Sequence, residues 1–230
     1  MEIKKEIDKH LEDFKYLSEP DIKKLQEVSL IRSYKKGQVL FDPGDSRTHI
    51  FFLHSGVVRL ERVDSSASFF YLHFINQKNL FPRTGLFYDA SYHVSAIAHT
   101  DIELISIPVK IFEEIISLNN QQLMLWIKSL SDDLKLKTVK IQKGAINNAY
   151  DRITTTLAII CHDLGTKIYP QKIVTIPCLM TINDIARASG TTRETASSVI
   201  KNLVKDKKIN YNRKKLTFLN TKFFADILAD

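Results

Sequence analysis

Between Tyr34 and Pro108 the chain strings together short runs rich in β-branched and aromatic residues: QVLF, HIFFLHSG, VVRLERV, SFFYLHFI, YHVSAIA and IELISIP. Gly, Asp and Asn punctuate them at intervals of about ten residues, with no helical pattern in between. Parallel pairing needs a long crossover between successive strands, and these spacings leave no room for one. The pattern predicts an antiparallel barrel or jelly roll.

On both sides of this block the apolar period becomes helical. Leu11, Phe14 and Leu17, then Ile22, Leu25 and Val28, are spaced for helices on either side of SEPD. After Pro108, VKIFEEIISL reads as a short amphipathic helix, and Asn119 or Asn120 can cap the next one, which runs to about Lys143. Within it Leu123, Ile127, Leu130, Leu134 and Ile141 keep four- and three-residue steps, broken only at Lys137. That is a coiled-coil seam about three heptads long. Met124, Trp126, Leu136 and Val139 lie off the seam, so the helix has two apolar faces. One face can be buried within the subunit and the other against a twin, which predicts a parallel dimerisation helix. The alternative is a helix buried wholly within one subunit.

KGAINN (Lys143 to Asn148) interrupts the helical pattern and marks a boundary. Beyond it the charge changes. Residues 145–230 hold 13 of the 33 Lys/Arg but only 7 of the 26 Asp/Glu, so +6 of the net +7 lies in this last part. A basic domain suggests a polyanionic partner, although a solvated surface has the same charge. No apolar run is long enough to span a bilayer, and MEIKKEIDKH lacks the core of a signal peptide, so the expectation is a cytoplasmic protein without a membrane partner. The two cysteines, Cys161 and Cys178, form no CxxC and argue against a structural zinc or an iron–sulfur cluster.

The basic part contains TINDIARASGTTRETASSVIKNLVKDKKINYNRKKLTFLN. Thr181 can cap a helix, with Asp184 three residues on, and Gly190 can close it. Thr191 or Thr192 then caps a second helix with Ala196, Val199, Ile200 and Leu203 on its inner face. The small Ala186 and Ala196 allow a close crossing. This is a helix-turn-helix, and INYN-RKK-LTFLN after it reads as the two strands and basic turn of a wing. Arg193 carries the fork that bonds guanine O6 and N7, and Glu194 can accept from the cytosine N4 amine. Glu194 also suits the helix N-terminus as a capping acid. Thr192, Thr195, Ser197 and Lys201 can donate to phosphates, with Arg213 and Lys214 extending the basic surface.

A roll, a long dimer helix and a winged helix-turn-helix whose second helix begins TRETAS together resemble the Crp/Fnr superfamily of bacterial transcription regulators. KKGQVLFDPGDSRTHIFFLHSGVVRL, TGLF and DRITTTL carry the likeness beside TTRETASSVI. The resemblance implies an α+β fold with an N-terminal antiparallel β-roll (jelly roll, cyclic-nucleotide-binding-like), a long dimerisation helix and a C-terminal winged helix-turn-helix. It implies that Arg193 and Glu194 read bases of a palindromic TGTGA-type site, and that Ser198 stands where such members carry a third reader, an arginine. Cyclic-AMP-binding members have Gly-Glu before GLF and Arg-Ser after it. Here Pro82 and Arg83 precede the element, and Tyr92 and His93 follow it. Losing both the ribose acid and the phosphate arginine argues against ordinary cyclic-AMP binding. Arg83, Thr84, Tyr92 and His93 remain candidates for a rearranged effector pocket, against the ordinary reading of Arg83 as an ion-paired side chain. NLFPRTGLF and RITTTLAIICHDLG are most similar to the arginine-deiminase-pathway regulators of low-GC Gram-positive bacteria.

The expected organisation is an effector roll over 1–118, the dimerisation helix and hinge over 119–144, and the DNA-binding domain over 145–230. The expected partners are double-stranded DNA, a second copy of the chain and RNA polymerase; no metal or other cofactor is expected, and the effector is unassigned. Two other classes compete. His49, His54, His73, His93 and His99 invite a metal-binding cupin, but no HxH with a following Glu occurs. A sensor module regulating a partner protein would keep the roll but would not need the second helix of the helix-turn-helix. No catalytic nucleophile–base pair or phosphate-binding Gly loop is present, so an enzyme is not expected.

Overall fold

The computed structural model describes residues 3–8, 11–63, 70–144, 148–168 and 173–229. The chain divides into two compact units, Met1–Arg62 with Ile75–Asp133, and Val63–Phe74 with Leu134–Asp230.

The first unit is built on strands β1 (Leu30–Tyr34), β2 (Val39–Phe41), β3 (His49–Ser55), β4 (Val58–Val63), β6 (Leu80–Phe81), β7 (Ser95–Ala98) and β8 (Ile102–Pro108), while β5 (Phe70–Ile75) falls almost wholly in the second unit. One sheet has the order β1-β8-β3-β6 and the other places β7 between β2 and β4, with all these pairs antiparallel. The centre of β3, Ile50–Leu53, is apolar at every position, and Ile102, Leu104, Ile105 and Ile107 of β8 are all buried, because both faces are covered. Their period of two sends Ile50, Phe52, Ile105 and Ile107 to one core. The alternate residues Phe51, Leu53, Ile102 and Leu104 go to a second core with Phe41, Phe81 and Ala96. Burying each of the larger side chains stabilises the fold by about 1.5–3 kcal/mol.

Helices close the first core. α1 (Glu19–Val28) starts at a capping box, with Ser18 Oγ accepting from the Asp21 N–H at 3.3 Å, and buries Ile22 and Leu25. α2 (Val109–Ser117) adds Phe112, Ile115 and Ile116. Ahead of α1 the chain forms two 3-10 turns, Ile3–Glu6 and Glu12–Phe14, rather than the helix expected from its spacing. Phe14 and Leu17 are nevertheless buried in the same core. A three-residue step suits a 3-10 turn as well as an α-helix.

α3 (Asn120–Gly144) begins where Asn119 Oδ1 accepts from the Gln122 N–H at 2.9 Å. Trp126 is buried in the first core, and Leu123 packs against it partly buried. Leu123 therefore stands on the subunit side of α3. Ile127, Leu134 and Ile141 are 51%, 64% and 73% exposed, and Met124 and Leu130 are exposed with them. Residues 145–147, within the KGAINN boundary just past the expected hinge at Gly144, lie outside the described residues.

In the second unit α4 (Ala149–Leu164) is capped by Asn148, whose side chain accepts from the Tyr150 N–H at 2.9 Å. It buries Ile153, Leu157, Ile160 and Leu164. Strands β9 (Thr166–Ile168), β10 (Ile173–Thr175), β11 (Ile209–Asn212) and β12 (Lys215–Phe218) form a sheet in the order β11-β12-β10-β9. α5 (Ile182–Ala188), α6 (Arg193–Lys205) and α7 (Thr221–Ala229) complete the unit, with Phe218 and Phe224 packed edge to face at 4.7 Å.

Candidate nucleic-acid interface

Local chemistry sets the ends of α5 and α6. Thr181 Oγ1 accepts from the Asp184 N–H at 3.1 Å while the Asp184 carboxylate accepts from the Thr181 N–H at 2.8 Å, a reciprocal capping box. At the other end Ser189 Oγ donates to the Ile185 carbonyl at 2.7 Å, and Gly190 takes φ +59°. That left-handed conformation costs glycine little and other residues more. Two residues later Thr192 caps α6 by accepting from the Thr195 N–H at 3.2 Å.

Ala186 and Ala196 are both buried where α5 and α6 meet, beside Ile185, Val199, Ile200 and Leu203. Burying that face turns the other outward. Arg193, Glu194, Ser198 and Lys201 are exposed, as is the cap Thr192, while Thr195 and Ser197 are half-buried. Among the described residues, no hydrogen bond or ion pair holds the side chains of Arg193, Glu194 or Lys201. The first turn of α6 thus presents a guanidinium and a carboxylate side by side, both accessible to a partner.

The wing is a tight hairpin. Asn212 pairs with Lys215, leaving Arg213 and Lys214 as its two-residue loop, with φ +47° and +66°. Such loops favour Asn-Gly, because both central residues must be left-handed. Here two exposed cations occupy them, at a cost of roughly 1–2 kcal/mol per residue. The loop is anchored from behind, since Lys214 O accepts from the Met180 N–H at 2.8 Å and the Tyr211 hydroxyl donates to Met180 O at 2.9 Å. Burial, with a smaller contribution from Asp184, raises the Tyr211 phenol above its ordinary pKa. Lys208 lies over the Phe223 ring at 3.8 Å.

The four candidate effector residues are not brought together. Arg83 donates through Nη2 to both Asp13 carboxylate oxygens at 3.0 and 2.9 Å and through Nη1 to Ser129 Oγ at 2.5 Å, and it lies over the Trp126 ring at 5.3 Å. It lines a cleft of about 230 Å³ with Asp13, Lys78, Asn79, Trp126 and Ser129. Tyr92 is instead buried in the second core, stacked on Phe41 at 3.8 Å, with its hydroxyl donating to His49 O at 2.8 Å. Thr84 is exposed, and His93 pairs with Asp89 at 2.7 Å on the surface.

A polar seam that sequence reasoning missed surrounds Arg83. The buried Gln122 accepts from the Tyr16 N–H at 2.8 Å and donates to Glu12 O at 3.0 Å. Asn119 donates to Tyr16 O at 2.7 Å, and the Trp126 indole donates to Asp13 O at 3.3 Å. Burial pushes the Asp13 carboxyl above its ordinary range, against the pull of Arg83. No local pattern marks these partners, which stand more than a hundred positions apart along the chain in the Gln122 pairs.

Of the histidines, His54 lies 2.8 Å from Glu6 and 3.8 Å from Glu103. Among the described residues no group of three or more His, Cys, Asp or Glu is placed to hold a metal ion. Cys178 is buried; Cys161 is half-buried, and burial pushes its thiol up to about 11. Among the described residues no helix is long and apolar enough to cross a membrane.

Residues 31–119 match the family model of the cyclic nucleotide-binding domain. The chain is 28% identical over 192 residues to the global nitrogen regulator of Nostoc sp., covering 82% of this chain and 84% of that protein. It is 28% identical over 186 residues to the HTH-type transcriptional regulator ArcR of Staphylococcus epidermidis, covering 80% and 79%. Among solved structures, FixK2 from Bradyrhizobium japonicum superimposes with a TM-score of 0.72 at 17% identity, over 87% of this chain and 97% of that one. A Crp/Fnr-family transcriptional regulator from Thermus thermophilus superimposes with a TM-score of 0.63 at 23% identity, over 87% and 99%.

Proposed function

We propose that this chain, a DNA-binding transcription regulator of the Crp/Fnr family, works as a homodimer that reads a palindromic TGTGA-like site through α6. The observation that carries the reading is the accessible Arg193–Glu194 pair in the first turn of α6, mounted on a capped helix-turn-helix and flanked by a cationic wing.

In the major groove Arg193 donates both arms of its fork to guanine O6 and N7, and Glu194 accepts from the cytosine N4 amine. A carboxylate loses affinity beside phosphates, so its presence here favours base reading over simple backbone attraction. Thr192, Thr195, Ser197 and Lys201 set register on phosphates, while Arg213 and Lys214 reach the backbone beside the groove. The exposed stripe of Met124, Ile127, Leu130, Leu134 and Ile141 supports pairing with a second copy through α3. Two readers then stand about one helical turn (~34 Å) apart on a palindrome. Rotating one reader changes that spacing and hence affinity. Ser198, short and exposed, cannot span to a base as an arginine does, so selection at the corresponding base is relaxed. Pro82 and Arg83 in the altered cassette, with the Arg83 guanidinium already engaged by Asp13, support control by something other than cyclic AMP. RNA polymerase is the protein partner this reading implies.

The test is fluorescence anisotropy of the ligand-free protein on a TGTGA-N6-TCACA duplex and on a scrambled duplex, at two salt concentrations. Preference for the palindrome supports the reading. Equal affinity for both, together with no preferred sequence selected from a random duplex library, overturns it.

A further inference from the structure

The turn of the helix-turn-helix is held from outside the motif. Arg152, in the first turn of α4, donates through Nε to Ser189 O at 3.3 Å and through Nη2 to Gly190 O at 3.4 Å. These carbonyls stand at the C-terminal end of α5, where the partial negative charge of a helix gathers and a cation is favoured. Two residues further on lies Thr192, the cap of α6. The rest of the turn is tied locally: the Gly190 N–H donates to Arg187 O at 3.3 Å and the Thr191 N–H to Ala186 O at 3.0 Å. The arginine connects the turn to a different helix through charge-assisted bonds, and its own backbone N–H is tied to Asn148 O, the cap of α4, at 3.2 Å.

We infer that Arg152 is a positioning residue for DNA reading: it sets the pitch of α6 against α4 by gripping the two carbonyls between the helices. The inference rests on the base-reading role of α6. A movement of the first turn of α4 is carried by the planar, doubly bonded guanidinium to the carbonyls just before the α6 cap. Arg193 follows immediately, so a small change of pitch at the turn swings the readers across the groove. The two carbonyls hold the guanidinium at the turn, and the inference assigns it a positioning role rather than a phosphate contact.

The experiment combines two readouts on the full chain. Hydrogen exchange follows the amides of Gly190, Thr191 and Thr192, and anisotropy follows the preference for the TGTGA-N6-TCACA duplex over a scrambled one. Arg152→Met should speed exchange at those amides about tenfold and reduce the preference about tenfold, with scrambled-duplex affinity and melting midpoint close to the parent. Arg152→Lys, whose single ammonium can reach one carbonyl, should recover part of both. If Arg152→Met does not fold, Arg152→Lys decides, with a loss of about threefold expected. Unchanged exchange in the folded variant overturns the inference. So does a loss of affinity shared equally by both duplexes. Arg193→Ala in the same assay separates the two ideas. If it keeps the parent's preference, the base-reading role fails while exchange still judges the grip. If it loses the preference and Arg152→Met does not, only the grip fails.

Discussion

Asp13 and Arg83, 70 positions apart, are joined by two hydrogen bonds of 2.9 and 3.0 Å, and Arg83 is held on its other side by Ser129 of α3. The segment before α1, the loop after β6 and the long helix meet at this guanidinium. An anion from the chain's own N-terminal segment therefore engages the arginine that stands in the altered cassette.

Asp13 predicts an unusual pH response. Burial raises its carboxyl above the ordinary range more than Arg83 lowers it. An acid raised in the fold binds its proton more tightly there than in the unfolded chain. Its contribution to stability is complete below the unfolded value, near 3.9, and is lost as pH rises through the folded value. Asp13→Asn removes that contribution. The melting-temperature gap between parent and variant should therefore be wider at pH 4 than at pH 7, as scanning calorimetry would show. A gap that narrows on acidification would contradict the assignment.

Base reading and phosphate contact should separate by mutation. Arg193→Ala should cost about 1–3 kcal/mol on the cognate duplex and blur one base, with little change on random DNA. Lys201→Ala should weaken binding to all sequences and lower the salt slope by about one. Titrations at several salt concentrations measure both. Equal losses on both duplexes for Arg193→Ala would remove its base-reading role.

On α3 the two apolar faces should answer differently. Leu134→Asp places a charge on an exposed position of the stripe and should yield a folded monomer by sedimentation velocity. Leu123→Ala removes packing from a partly buried site and should lower the melting temperature instead. A dimeric Leu134→Asp protein would move the pairing surface elsewhere.

Lys214→Gly should expose a conflict between stability and binding. Glycine relieves the left-handed position at φ +66°, so the variant should gain up to about 1 kcal/mol in chemical denaturation. Losing the cation should weaken DNA binding at the same time. If affinity were unchanged, the wing tip would not touch DNA.

Cys161 should resist alkylation. Its thiol is pushed up to about 11 by burial, so almost none is thiolate at pH 8, and Cys178 is buried. Iodoacetamide mass spectrometry should show both thiols labelled only after unfolding. Rapid native labelling of Cys161 would contradict this.

How much of this was readable in advance depended on how local the cause was. The Thr181–Asp184 cap, Gly190 and the wing are determined by residues within three or four positions and stand where the pattern put them, with Thr192 the cap of the two threonines offered and Lys215 in the strand rather than in the turn. β1 was not visible because its five residues are exposed or half-buried and show no alternation, and β6 is only two residues long. The expected cluster of Arg83 with Tyr92 and His93 rested on their places in the cassette of the family the chain resembles. Tyr92 turns inward to Phe41, while Arg83 reaches Asp13 and α3. Such tertiary choices leave no periodic trace. The Arg152 grip on the turn is equally silent, since its partners lie 37 and 38 positions away.

The exposed stripe on α3 also bears on how much of the protein a cell must make. On the proposed reading each chain supplies one reader and half of a pairing surface, so when chains are scarce the number of complete dimers grows with the square of their concentration. Doubling synthesis would then roughly quadruple the complexes able to span both halves of a palindrome. Gene dosage and chain turnover thereby become inputs to control, alongside any small molecule that acts on the roll.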